Sequence, residues 1–355
     1  MLKVASIVGA RPQFIKSLPV SIEVRKVCQE VLIHTGQHYD HNMSKIFFED
    51  MGIPEPDYNL EVGSGTHGEQ TAQMLTKIEA VLINEKPDIA LVYGDTNSTL
   101  AGALAASKLH ISVAHVEAGL RSFDKRMPEE INRIIADHLS DVLFCPTKTA
   151  VDNLRNEGIT KGVELVGDVM YDAALLFSGL AEKKSNILQE LGLTSKSYLL
   201  ATIHRSANTD EVENLKALLE AFAESGKTII FPVHPRTRKV INNAGLHKII
   251  EGTKVRLIDP VGYIDFLALE RNAAKILTDS GGVQKEAFFF AIPCITLRDT
   301  TEWVETVESG WNVLVHVDKN LILKQIAEFN PEGEPAKLFG DGKAAFYIAQ
   351  RLTSL

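Results

Sequence analysis

Short apolar runs rich in Val, Ile, Leu and Ala recur along the whole chain, each closed by a glycine-containing or polar turn and followed by a stretch with helical spacing. In the first half they fall at 4–8, 31–35, 89–93, 113–117 and 141–145, and in the second half at 198–203, 228–233, 255–258, 275–278 and 293–297. Apolar runs without polar alternation are the mark of parallel strands buried on both faces. The pattern therefore predicts an α/β protein built from two doubly wound sheets. A helix is expected over 169–180, and the polar stretch 181–186 places a domain boundary near 170–186. After a loop at 330–335, a last helix is expected over 342–352, and no sequence repeat interrupts the series.

Composition narrows the class. The 355 residues are 45% hydrophobic and 23% charged, with three cysteines and a net charge of −9, which excludes a disordered chain and a disulfide scaffold. No basic stripe is available to neutralise a phosphate backbone, so nucleic acid is not an expected partner. Cys28, Cys145 and Cys294 form no close pair and read as reduced core residues. No apolar run approaches the ~20 residues of a membrane span, and no signal peptide is expected. The expectation is a cytoplasmic protein away from membranes.

In open α/β sheets ligands gather outside the carboxyl ends of the strands, so the residues just after each run are the ones to read. Here they include Gly9-Ala10-Arg11-Pro12, Gly36-Gln37-His38, Gly94-Asp95-Thr96, Glu117-Ala118-Gly119, His204-Arg205, His234-Pro235-Arg236 and Asp279-Ser280-Gly281-Gly282. Helix caps explain Ser, Thr, Asp and Gly at such places, but not recurrent Arg and His. Ser280, Gly281 and Gly282 would set free N–H groups at a helix start, an anion site by geometry and dipole, unless Asp279 or Ser280 is simply an N-cap. Glu286, in the same helix, is placed to accept from ribose hydroxyls or is an ordinary exposed glutamate. Arg11, at the mouth of the first strand, and Lys16, one helical turn beyond Pro12, are suited to clamp a diphosphate. Asp95, Glu117 and Glu129 offer three carboxylates that can converge on one cleft and move a proton between two faces of a sugar, although Asp95 also fits as an N-cap. Glu117 closes an otherwise apolar run, where a carboxylate without a partner would be costly. His204 ends the first strand of the second sheet, expected to face Arg11 and Lys16.

Three other patterns point elsewhere. Gly63-Ser64-Gly65-Thr66-His67-Gly68 matches a dinucleotide-binding glycine pattern, but the run before it is short and crowded by Pro54 and Pro56, so a plain loop is expected. His34, His38 and His41 have suggestive spacing without a thiolate, and no metal site is assigned. Neither a phosphate-binding Gly-x-x-x-x-Gly-Lys nor a Gly-x-Ser-x-Gly nucleophile turn occurs.

Taken in order, Gly9-Ala10-Arg11-Pro12 with Lys16, Thr35-Gly36-Gln37-His38, Gly94-Asp95-Thr96, His115-Val116-Glu117-Ala118-Gly119-Leu120-Arg121, Pro128-Glu129-Glu130 with Asn132-Arg133, His204-Arg205, and Thr278-Asp279-Ser280-Gly281-Gly282 with Gln284 and Glu286 form a collinear set. The chain in this respect resembles the non-hydrolysing UDP-N-acetylglucosamine 2-epimerases over nearly its full length. The resemblance implies a glycosyltransferase-B architecture of two Rossmann-like domains. The first spans 1–175 and is rejoined by a C-terminal helix at 341–355; the second, at 176–340, binds UDP. It further implies a homodimer and a UDP-sugar substrate in the cleft. The implied chemistry is loss of UDP to give a 2-acetamidoglucal and its return after protonation of the other face of C2, with no redox cofactor. Asp95, Glu117 and Glu129 would be the acid–base carboxylates, their division between the two faces left open. His204, Arg11 and Lys16 would stabilise the departing diphosphate. Ser280, Gly281, Gly282 and Glu286 would bind the nucleotide, with Phe266 at the uracil.

Departures bear on the sugar. Where the family pattern has Arg-Pro after the segment 298–302, this chain has Trp303-Val304, and the glutamate of His-Arg-x-Glu-Asn is replaced in His204-Arg205-Ser206-Ala207-Asn208. Trp303 resembles epimerases acting on UDP-2,3-diacetamido-2,3-dideoxyglucuronate, so that sugar is the alternative substrate. The segment Gln37-His38-Tyr39-Asp40 departs from the allosteric segment of some bacterial members, and activation by substrate is not expected. Other readings are a hydrolysing epimerase, a retaining glycosyltransferase, disfavoured by Cys294 eight positions after Glu286, and a binding module without catalysis.

Overall fold

The structure is a computed structural model that describes residues 1–36 and 55–355. It divides into two units, Met1–Leu175 with Lys337–Leu355, and Leu176–Ala336. In unit 1 the strands are β1 (Lys3–Val8), β2 (Gln29–His34), β3 (Tyr58–Asn59), β4 (Ile89–Tyr93), β5 (Ser112–Val116), β6 (Val142–Cys145) and β7 (Val163–Leu165). All pair in parallel, in the order β3-β2-β1-β4-β5-β6-β7. The order reverses between β1 and β4, so the loops after these two strands open at a topological switch point. Every residue of β4 is buried, as a central parallel strand covered by helices on both faces requires. Ile7, Ile33, Met74, Ile78 and Val92 form the core beside it.

Unit 2 repeats the design. Its strands are β8 (Leu199–Thr202), β9 (Ile229–Pro232), β10 (Val255–Ile258), β11 (Lys275–Thr278), β12 (Cys294–Thr296) and β13 (Asn312–Leu314). They pair in parallel in the order β10-β9-β8-β11-β12-β13, with the reversal between β8 and β11. Leu215, Leu219, Phe222, Phe231, Ile295 and Ile322 are core residues there.

The sequence pattern predicts ten of these strands and misses β3, β7 and β13, which have two or three residues and are too short to show a period. The stretch 181–184, expected as linker, is the last turn of the helix Val169–Lys184; Ala, Glu and Lys there are strong helix formers. In the first turn of that helix, Asp172 accepts the backbone N–H groups of Ala344 at 3.1 Å and Ala345 at 2.8 Å. It thereby caps the C-terminal helix Ala344–Leu352 and fastens it to unit 1. Burial pushes the Asp172 carboxyl up to about 6, against the lowering effect of those two N–H groups. Among the described residues, no helix is long and apolar enough to cross a membrane, and Cys28, Cys145 and Cys294 are buried free thiols.

Candidate active site

At the unit 1 switch point the turn after β1 is drawn tight by the side chain of Gln13, which is 1% exposed. Its Oε1 accepts the N–H groups of Gly9 at 2.8 Å and Ala10 at 2.9 Å, and its Nε2 donates to the Tyr93 carbonyl at the end of β4 at 2.7 Å. Gly9 is required: a Cβ there would lie 2.0 Å from Thr35 Oγ1 and 2.1 Å from Ser98 Oγ. This turn starts the helix Arg11–Val27 and brings Lys16 to the mouth of the sheet. The Arg11 side chain and the segment 37–40 lie outside the described residues, as do His38 and His41. His34 instead pairs through Nδ1 with Asn59 Oδ1 at 3.1 Å.

Lys16 Nζ pairs with Glu117 Oε2, with side-chain exposures of 19% and 4%. Burial alone would lower the Lys16 pKa. The Glu117, Asp95 and Asp168 carboxylates outweigh it and hold the ammonium above its ordinary value. Glu117 has φ +67°, a left-handed conformation unfavourable for a side chain of this kind, and it follows β5 directly. A Cβ at Gly94 would stand 3.2 Å from Glu117 Oε2 and 3.7 Å from Lys16 Nζ, so the turns after β4 and β5 and the first helix meet at one place.

Asp95 is not the N-cap of the following helix, Asn97–Lys108; Thr96 is, its hydroxyl accepting the Thr99 N–H. The Asp95 carboxylate pairs with Arg133, whose Nη1 also donates to Glu130 Oε2 at 3.0 Å. Asn132 Nδ2 donates to the Asp95 carbonyl at 3.0 Å. The helix Pro128–Leu139 therefore fixes the Asp95 loop through two neighbouring side chains. Of the two glutamates opening that helix, Glu130 is buried. Burial would raise its carboxyl, but N–H and O–H groups from Ser122 and Phe123 and the charge of Arg133 hold it below the ordinary value. Glu129 is exposed, and no hydrogen bond or ion pair ties it to Asp95 or Glu117 among the described residues.

In unit 2 the switch-point loops carry His204 and Asp279 to Gly282. Asp279 is fully buried and its carboxylate is turned away from the helix Gly281–Phe289. It accepts the backbone N–H groups of His204 and Arg205 at 3.1 and 3.0 Å and Asn208 Nδ2 at 3.0 Å, and it faces His204 Nδ1 at 3.2 Å. Ser280 is the N-cap residue but caps nothing with its side chain. The first-turn N–H groups of that helix thus keep their dipole and receive no side-chain cap, the arrangement that binds anions. Gly281 is packed so that a Cβ would meet Glu302 Oε1 at 2.3 Å, whereas nothing stands nearer than 3.9 Å to the corresponding point on Gly282. Glu302 bridges Arg205 at 3.3 Å and Arg298 at 2.9 Å.

Glu286 is 5% exposed, which removes the exposed-glutamate reading. It accepts the Tyr263 hydroxyl at 2.7 Å. Burial raises the carboxyl of Glu286, and burial together with the Glu286 charge raises that of the neighbouring Glu270. Phe266 is half-buried in the same helix as Tyr263, Tyr263–Asn272. Trp303 is 8% exposed, and Lys285 Nζ lies 4.1 Å from its ring centroid. A buried cation thus rests on the aromatic face of Trp303.

Gln13, the anchoring carboxylate of Asp279 and the Lys285–Trp303 contact escape a sequence reading. Gln13, Lys285 and Trp303 close no strand, and Asp279, which does follow β11, reads in the sequence as an N-cap and not as the anchor of the distant His204–Arg205 loop. Arg133 and Asn132 carried a signal only as part of the collinear set.

The family model described as UDP-N-acetylglucosamine 2-epimerase matches residues 21–353. A Methanococcus maripaludis protein named UDP-N-acetylglucosamine 2-epimerase homolog is 58% identical, with 100% of each chain covered. Pseudomonas aeruginosa UDP-2,3-diacetamido-2,3-dideoxy-D-glucuronate 2-epimerase is 50% identical, again over 100% of both chains. Among solved structures, Methanocaldococcus jannaschii UDP-GlcNAc 2-epimerase in complex with UDP-GlcNAc and UDP superimposes with a TM-score of 0.86 at 48% identity, covering 100% of both chains. Two doubly wound units, the switch-point loops and these full-length matches lead to one assignment: the chain belongs to the UDP-N-acetylglucosamine 2-epimerase family.

Proposed function

We propose that this protein epimerises C2 of a UDP-2-acetamido sugar, converting UDP-N-acetylglucosamine into UDP-N-acetylmannosamine. The observation that carries the reading is the Lys16–Glu117 pair beside Asp95 at the unit 1 switch point, where a cation and two carboxylates meet on a strained turn. C2–H of the sugar has no adjacent carbonyl to acidify it. Breaking the C1–O bond to the diphosphate develops positive charge at C1. A carboxylate then takes the C2 proton, and the C–H electron pair becomes the C1=C2 bond of a 2-acetamidoglucal. A proton delivered to the other face of C2 and return of the UDP oxygen to C1 complete the exchange. Asp95 and Glu117 are the proposed proton carriers, with Glu129 the third carboxylate. Lys16, His204 and Arg11 would balance the charge on departing UDP. The uncapped helix start at Ser280, Gly281 and Gly282 would hold the diphosphate, with Glu286 on the ribose and Phe266 on the uracil.

The same chemistry on UDP-2,3-diacetamido-2,3-dideoxyglucuronate is favoured by Trp303, and by the Pseudomonas relative at 50% identity that is named for that sugar. Separate incubation with each sugar nucleotide, followed through the anomeric proton of the gluco and manno forms, decides between them. Conversion of neither would reject the reading.

A further inference from the structure

We propose that Asp137 is a positioning residue for the acid–base loops, holding Glu117 and Asp95 in register through His115, Gly119 and Arg121. The inference rests on the functional reading above and names parts of the machinery that do not touch substrate.

Asp137 lies near the end of the helix Pro128–Leu139 and is 1% exposed. Its Oδ1 faces His115 Nδ1 at 2.7 Å; its Oδ2 accepts the Gly119 N–H at 3.1 Å and Arg121 Nη1 at 2.7 Å. These partners stand two residues before, two after and four after Glu117. One buried carboxylate therefore grips both sides of the turn whose centre has φ +67°. A left-handed non-glycine residue persists only where its surroundings over-determine it, and this clamp supplies that determination. Gly119 contributes by its own φ of +79° and by the lack of a Cβ, which would come 2.3 Å from the Ala150 carbonyl.

The clamp reaches the second loop through the other side of the imidazole. His115 Nε2 faces the Gly94 carbonyl at 2.7 Å, and the Gly94 N–H donates to the Val116 carbonyl at 2.9 Å. Gly94 immediately precedes Asp95. With oxygen acceptors at both nitrogens, the ring ties the Asp95 loop to the Glu117 turn and both to Asp137. Arg121 is itself pinned, its Nε and Nη2 donating to Glu157 Oε1 and Oε2 at 2.7 Å each. His115 is fully buried and Arg121 9% exposed, so the network acts from behind the site.

Two substitutions at 115 separate the two links. His115→Asn places an amide nitrogen near the Nδ1 position and keeps the contact to Asp137 while losing the one to Gly94. His115→Gln places it near Nε2, with the opposite effect. Asp137→Asn removes the charge and replaces one of the two acceptor oxygens with an N–H donor, so the three partners can no longer all be held. Each full-length variant is assayed for kcat, KM, UDP affinity and circular dichroism, with the parent measured alongside. The expected result is a fall in kcat of about 100-fold for Asp137→Asn, and smaller falls for both His115 variants, with UDP affinity and KM unchanged. Parental kcat in the folded His115 variants would overturn the inference, even if Asp137→Asn does not fold. So would a loss of kcat, KM and UDP affinity together with the fold. A parent that epimerises neither sugar nucleotide overturns the functional reading and this inference with it.

Discussion

Replacing Lys16 with methionine separates the electrostatics of the site from its chemistry. The ammonium is 19% exposed and its partner Glu117 4%, so removing the cation takes this counter-charge from a nearly buried carboxylate. Breaking a fully buried pair in this way costs about 3–5 kcal/mol, and the residual exposure of Lys16 reduces the expected loss to about 2–4 kcal/mol. Glu117→Gln, which leaves the ammonium without its counter-charge, should cost less, because Lys16 retains contact with water. In the double variant Lys16→Met/Glu117→Gln both charges are gone. Its stability should recover toward the parent, with a coupling energy of about 1–3 kcal/mol. Urea denaturation of the four proteins, monitored by circular dichroism, gives the cycle. Epimerase assays on the same samples should show all three variants inactive, including the restabilised double variant. Strictly additive losses would refute a direct buried ion pair, and an active double variant would refute its place in the reaction.

Gly9→Ala should destabilise unit 1 by about 2–4 kcal/mol, because its methyl group would collide with Thr35 Oγ1 and Ser98 Oγ and part a buried hydroxyl pair now 2.8 Å apart; a denaturation midpoint at the parental value would contradict this. Asp279→Ala should free the His204–Arg205 loop by removing the acceptor for two backbone N–H groups and Asn208, weakening UDP binding by about tenfold or more in calorimetry; unchanged affinity would refute the anchoring role. The Asp172 carboxyl, at about 6, lies above its unfolded value near 3.8, so its ionisation in the folded chain is unfavourable and the folded form gains stability as pH falls through about 6 toward 4. Hydrogen exchange of the helix Ala344–Leu352, corrected for the intrinsic pH dependence, should accordingly slow between pH 7 and pH 5. Weaker protection at pH 5 would reverse that assignment.

The fold was legible wherever a strand is long enough to bury a continuous run. Ile89–Tyr93, Val255–Ile258 and Lys275–Thr278 have the bounds that their apolar runs indicate. Edge elements were not, since Tyr58–Asn59 depends on pairing with β2 and not on any pattern of its own. At the site, the strand-end rule drew attention to Asp95, Glu117, His204 and Ser280, and helical spacing from Pro12 to Lys16, because ligands in open α/β sheets gather outside the carboxyl ends of the strands. It could not distinguish Asp95 from Thr96 as the cap, since both are good caps and only the geometry shows Thr96 bonding to Thr99. Nor could it see that Asp279 turns back to Asn208, a partner 71 residues away. Buried polar clamps of this kind leave no periodic trace, because each depends on one long-range pairing.

Proton NMR of the purified protein with UDP-N-acetylglucosamine in deuterium oxide tests the central claim most directly, with the diacetamido uronate as a second sample. Elimination and re-addition predicts the manno epimer carrying deuterium at C2, and growing deuterium in the recovered gluco form as the reaction reverses. Release of free sugar with UDP would place the protein with hydrolysing epimerases instead. Both sugar nucleotides unchanged and fully protiated at C2 would contradict the account.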